Sequence, residues 1–313
     1  MESWAADFGS PYLVSEEEDS ADAEVVEDAE LTSHQGLDDQ LPLAFVDGVR
    51  RAEAWLFLED ESREVRARGV AGAYGCGASV VRASERAQFE SITVDRLLIW
   101  GSGQTEQIPA VAGGWTWRVT SISDTAPDAP LHELQIRMRQ TEGVIAERLA
   151  FEGNLVVVDG PLTFVRSRDL PVAGYVKTHH RALLPAELHR TIPKLETGSR
   201  SSLFQLGDDR YSCYLRVARP GMDGNPWSGI VRLEFPQAPG LDAASQVATQ
   251  LAGQLPRYAG IPHRDPRAPQ NLQPIGALES HLRHLLGDSG LAARAVRDSA
   301  AARSSNSNRG EET

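Results

Sequence analysis

Lysine and cysteine are the scarce residues of this chain. Of its 31 basic side chains only Lys177 and Lys194 are lysines, an arginine bias that reflects genome composition more than function. Cys76 and Cys213 are isolated, which excludes a disulfide framework or a cysteine zinc site. No apolar run approaches the ~18–20 residues a membrane span needs, and Met1–Gln40 carries no secretory signal pattern. A cytoplasmic protein that does not engage the membrane is therefore expected. There is no Gly-x-x-x-x-Gly-Lys-Ser/Thr loop, so the chain should not hydrolyse ATP itself.

The first 40 residues also lack any lysine or arginine, yet hold 13 of the 44 acidic side chains. The remaining 31 carboxylates balance the 31 basic groups, so the net charge of −13 belongs to this segment and the body is neutral. A neutral body leaves nucleic acid open as a partner, because local basic patches create a phosphate-binding surface. A self-repelling segment cannot bury a core, so residues 1–40 are expected to be a disordered acidic tail. It would serve as a solubilising tail, as a partner-binding arm, or as a polyanion mimic that limits non-specific DNA binding. Residues 41–297 read as one domain, and the Ser/Asn/Arg-rich residues 298–313 as a second disordered tail.

The body opens with strands. Ala44–Asp47 continues into Ala52–Leu58, Val65–Val81 is a Gly-rich antiparallel partner, and Ile92–Trp100 is a third strand. Trp115 and Trp117 alternate about Thr116, as in a half-buried strand. Leu131–Ala150 is a helix whose Leu131, Leu134, Met138, Ile145 and Leu149 share a sector of about 60°. Glu142 lies about 20° beyond that stripe, and Glu147 lies on the solvent side. Leu155–Asp159 and Ala173–Lys177 are strands ending in a charge; a hairpin turns about Gly207 and a strand covers Gly229–Phe235. Helices are expected at Pro185–Leu195, Ala243–Leu255 and Gln270–Leu286, the last with a stripe of Ile275, Leu278, Leu282 and Leu285.

Two of these strands deliver an aspartate followed by glycine: Leu43-Ala44-Phe45-Val46-Asp47-Gly48 and Leu155-Val156-Val157-Val158-Asp159-Gly160. Each alone is ordinarily a turn. Together, with Glu142 faced toward the helix–sheet boundary, they define a carboxylate constellation suited to hard divalent ions. Two ions about 3.5–4 Å apart can activate a water and stabilise a leaving oxygen in phosphodiester hydrolysis. The order of elements, antiparallel strands and then a β-α-β unit, fits an α/β fold: a ribonuclease H-like mixed sheet with flanking helices.

Phe45-Val46-Asp47-Gly48-Val49-Arg50-Arg51, Val157-Val158-Asp159-Gly160-Pro161-Leu162 and Gly174-Tyr175-Val176-Lys177-Thr178 resemble, in order and spacing, the successive motifs of the NurA nucleases. The resemblance runs from about Leu41 to Arg297. It implies a ribonuclease H-like fold and metal-dependent exonuclease or endonuclease activity on DNA. It also implies a homodimer and a hexameric HerA-type ATPase as partner in DNA end resection, repair or defence. Asp47 and Asp159 would be ligands for two Mn²⁺ or Mg²⁺ ions, joined by Glu142 as the preceding helical acid, with Glu147 its less favoured substitute. The family's late motif carries a Tyr and, eight residues on, a His; here Asn271 and Glu279 stand at those positions, and His263 is a rival for the His. Glu279 would complete four carboxylates. Lys177, Arg50 and Arg51 would bind DNA phosphates. The alternative is a catalytically weak, DNA-end-binding adaptor of an ATPase motor.

Other polar residues have plainer readings. Glu279 has Arg283 at i+4 and could be a solvated ion-paired residue. His179-His180 lacks a partner at metal-ligand spacing, and His281 with His284 has no nearby Cys or His to make a zinc site. Cys213 alternates within a strand as a small core residue.

Overall fold

A computed structural model of the chain describes residues 23–37, 41–59, 65–83, 85–109, 115–178, 182–220, 225–261, 263, 265 and 267–310. His179 and His180 lie outside them. In chain order the strands are β1 (Ser33–Gln35), β2 (Leu43–Glu59), β3 (Val65–Val81), β4 (Gln88–Trp100), β5 (Arg118–Ser121), β6 (Leu155–Asp159), β7 (Val172–Val176), β8 (Ser199–Ser201), β9 (Phe204–Leu206), β10 (Arg210–Arg216) and β11 (Ile230–Pro236). The helices are α1 (Ala129–Phe151), α2 (Ala186–His189), α3 (Leu241–Gln254), α4 (Gln273–Leu285) and α5 (Ser289–Gly310). The fold is α/β, built on one mixed sheet of eleven strands ordered β1-β8-β10-β11-β7-β6-β2-β3-β4-β5, with β9 also on β10.

Its centre is parallel: β2 pairs with β6 and β6 with β7. On one side β2, β3 and β4 form long antiparallel ladders, and on the other β7, β11 and β10 are antiparallel. The apolar runs of β2 and β6 are buried on both faces, as parallel central strands require. Period-two alternation then sorts their side chains. Leu43, Phe45, Leu155 and Val157 face the core shared with α3 and Ile275 of α4, while Ala44, Val46, Val156 and Val158 face α1. Val49 continues the first set, packing with Leu278 and Leu282 of α4. The buried stripe of α4 closes with Leu286, the residue just past its end, instead of the expected Leu285, which is 40% exposed.

Three expectations change. Trp115 and Trp117 precede β5 instead of alternating within a strand. Trp117 Nε1 donates to Glu53 at 2.8 Å and the Trp115 ring lies 4.2 Å from the Arg96 guanidinium, contacts that hold the two indoles stacked on each other. The segment expected to be a tail to residue 40 divides: residues 1–22 and 38–40 lie outside the described residues, but 23–37 pack on the sheet. There β1 pairs with β8, and Glu27 makes two 2.7 Å bonds with the fully buried Arg200. At the C-terminus, the backbone expected to be disordered from residue 298 is helical to Gly310. Ala295 and Val296 of that helix bury against Trp100 and Trp117, anchoring it.

Candidate metal centre

The site forms where β6 stops and β2 continues. The parallel register sets Phe45 beside Val157 and Val46 beside Val158, and so brings the next residues, Asp47 and Asp159, side by side. Both share the face of Phe45 and Val157, over which α4 lies. Glu279, one residue after the buried Leu278, descends from α4 onto the same spot. One carboxylate oxygen from each of Asp47, Asp159 and Glu279 lies within 4.8 Å of the other two.

Glu142 approaches from the opposite face. It sits among the buried residues of α1, only 1% exposed, and reaches the sheet where residue 48 has no side chain. A Cβ on Gly48 would stand 2.5 Å from Glu142 Oε1. Glu142 Oε2 accepts a 2.7 Å bond from Arg139, whose Nη1 also donates to the Asp159 carbonyl at 2.7 Å. Arg139 thus ties α1 to the end of β6. Glu142 is not in the converging set of three oxygens, but it is close enough to raise the proton affinity of Asp47.

Charge is unevenly compensated. Lys177, just past β7, donates to Asp159 Oδ2 and to Asn271 Oδ1, both at 2.8 Å. Asn271 donates in turn to Asp265, and Arg267 grips both Glu279 oxygens at 2.8 and 2.6 Å while Arg283 adds a 3.1 Å bond. Burial disfavours the ionised form of Glu279, but Arg267, Arg283 and Lys177 outweigh it and hold its carboxyl below the ordinary range. Asp47 and Glu142 are the opposite case. Burial pushes the Asp47 carboxyl well up, and Asp159, Glu142 and Glu279 push it further, with Lys177 offsetting only part. Burial likewise raises Glu142, against the pull of Arg139. Asp47 Oδ2 and Glu142 Oε1 are buried without a hydrogen-bond partner. Such oxygens are costly unless a proton or a cation compensates them. Hard oxygen donors, two of them orphaned, fit Mg²⁺ or Mn²⁺.

The remaining expected residues are distributed as follows. Asn271 belongs to the site, where its Oδ1 accepts from Lys177. Arg50 is half-buried, bonded through Nε to Gln135, and burial and the nearby Arg139 lower its proton affinity. Arg51 corrects its expected role in DNA binding: it is 6% exposed and donates to the carbonyls of Leu286 and Gly287 at 2.8 and 2.7 Å, capping the end of α4. Glu147 stands away from the cluster, its Oε1 accepting the backbone N–H groups of Arg166 and Ser167. His263 is exposed and outside the converging set. His281 stacks on Phe89 at 4.6 Å, and Cys213 is fully buried in the core.

Sequence reasoning missed Arg139, Asp265 and Arg267. Arg139 lies three residues before Glu142, a spacing that puts them on one helix face and could have revealed it. Arg267 is twelve residues from Glu279, in a loop, and no local signal links them.

Fold and site together define an α/β chain with an acidic cluster on the central strands, fit for a divalent cation. Compared with known protein families and with curated proteins, the chain matches no family model and no curated sequence. Among the described residues, no helix is long and apolar enough to cross a membrane.

Proposed function

We propose that this chain is a metal-dependent deoxyribonuclease of ribonuclease H-like fold, similar to the NurA nucleases. The observation that carries the reading is the convergence of Asp47, Asp159 and Glu279 within 4.8 Å, with a buried, unpartnered oxygen on Asp47. The ribonuclease H-like reading is supported by the antiparallel β2-β3-β4 ladder followed by α1 and the parallel β6 and β7.

Asp47, Asp159 and Glu279 would hold Mn²⁺ or Mg²⁺, in a pair if Glu142 contributes from its own face. The ion supplies Lewis-acid activation of water and stabilisation of charge on the leaving oxygen. The chain's own residues do the rest. Arg139 fixes Glu142 and the Asp159 backbone relative to each other. Lys177, braced by Asn271, orients Asp159 and offers its ammonium to a phosphate as a point charge. Arg50, beside Arg139, adds positive charge at the margin. A homodimer acting with a HerA-type hexameric ATPase in DNA end resection or repair is part of the same proposal.

A second reading, an adaptor that holds DNA ends for a motor without cleaving them, is favoured by one feature. Lys177, Arg267 and Arg283 already compensate Asp159 and Glu279, as they would in a cluster kept for structure. Cleavage of end-labelled single- and double-stranded DNA with Mn²⁺ separates the two. The nuclease reading expects cleavage by the wild type and its loss in Asp47→Asn and Asp159→Asn. Cleavage persisting in both variants would sink the site, and metal-independent DNA binding without cleavage would favour the adaptor.

A further inference from the structure

One cation of the site grips a carboxylate of the converging set with both arms of its guanidinium. Arg267 comes from the loop before α4, and its side chain is 48% exposed while the Glu279 it grips is 7% exposed. It therefore covers the carboxylate from the solvent side and can leave without unpacking the core. Its fork takes both Glu279 oxygens, one of which belongs to the converging set. A divalent cation entering that set would stand against the guanidinium, so the ion and the bidentate grip oppose each other.

Release of Arg267 would not dismantle its surroundings. Glu279 keeps its 3.1 Å bond from Arg283. Asp265 keeps the side-chain bond from Asn271, which braces Lys177 on Asp159. The loop is also held by the Arg267 backbone N–H on Asp265 at 2.8 Å, which does not depend on where the guanidinium points. The free fork would stand at the mouth of an acidic cluster whose charge the ion had neutralised. A guanidinium there matches the two oxygens of a phosphodiester.

We propose that Arg267 is a metal-released phosphate clamp: it holds Glu279 when the site carries no cation, and turns to a DNA backbone phosphate when a divalent ion takes over the carboxylates. The proposal rests on the metal-binding reading of the site. It makes DNA affinity and metal binding linked quantities, with Arg267 the link.

The test uses the full chain, a fluorescein-labelled duplex, and Ca²⁺ as a divalent ion for binding, with EDTA as the reference. Mn²⁺ binding is followed separately by electron paramagnetic resonance. For the wild type, DNA affinity should rise about tenfold between EDTA and Ca²⁺ and its salt slope steepen by about one phosphate contact. Arg267→Gln should still bind Mn²⁺ yet lose that increment and the added slope, and Arg267→Lys should regain part of the affinity. Glu279→Gln, which loosens the grip without a metal, should raise DNA affinity in EDTA. An Arg267→Gln protein that binds Mn²⁺ and keeps the full Ca²⁺-dependent gain would overturn the clamp while leaving the metal site intact. A wild-type chain that binds no Mn²⁺ would overturn both.

Discussion

Glu142 occupies the space that a side chain on residue 48 would fill: its Oε1 lies 2.5 Å from where a Gly48 Cβ would stand. Met138 Cγ and Cys76 Sγ would lie 2.9 and 3.0 Å from the same point. Gly48→Ala should therefore push Glu142 and its neighbours off their present positions, at a cost of about 1–3 kcal/mol. Denaturant unfolding measures that cost. Mn²⁺ affinity should fall with it, and an unchanged affinity would mean that Glu142 contributes nothing to the centre.

Asp47 is buried among other carboxylates, so its charge is a burden to the metal-free fold. Its proton affinity is raised in the folded state. The fold is therefore most stable where Asp47 is protonated, and loses stability as pH rises from the ordinary carboxylate range through the raised folded value. Asp47→Asn should stabilise the metal-free protein by about 1–3 kcal/mol near neutral pH. Thermal melts with and without Mn²⁺ check this: the variant should melt higher in EDTA and gain less from the ion than wild type does.

Glu27 behaves in the opposite sense. Burial works against its charge, but bonds from Arg200, Ser245 and the Leu203 backbone prevail and lower its carboxyl from 4.5 to about 2. Its contribution is present above the ordinary value and is lost as pH falls from about 4.5 toward 2. Acidification over that window should loosen residues 23–37, seen as faster amide exchange in β1 than in β2. At neutral pH Glu27→Ala should cost about 3–5 kcal/mol, because it strands the buried Arg200.

Glu53 is a second buried anchor, with a fully buried side chain that accepts from Arg51, Arg96 and Trp117. Arg51 and Arg96 both donate to the Leu286 carbonyl, so Glu53 secures the end of α4 and, through it, the helix that carries Glu279. Glu53→Ala should destabilise by about 3–5 kcal/mol. Calorimetry reads the stability loss, and Glu53→Gln, which keeps the shape and part of the bonding, should lose less.

Much of this was legible from local pattern. Two apolar runs ending in Asp-Gly became the adjacent β2 and β6, and the Gly-rich run Val65–Val81 became β3, the antiparallel partner of β2. The wheel separated Glu142 from Glu147 correctly, since a 3.6-residue period fixes which side chains face inward. For residues 23–37 of the acidic N-terminal segment, local pattern points the wrong way. Its composition signals self-repulsion, and nothing local shows that Glu27 has a buried arginine waiting 173 residues away.

Sequence alone thus determined the central strands, the inward face of α1 and the types of side chain at the strand ends, because these follow from periodicities of two and 3.6. Tertiary structure decided which of them meet. The parallel register of β2 and β6 made Asp47 and Asp159 neighbours, and α4 laid Glu279 over them. It spent Arg51 on a helix end and brought Arg267 to Glu279. Those outcomes depend on contacts between segments far apart in the chain, whose register no local spacing encodes.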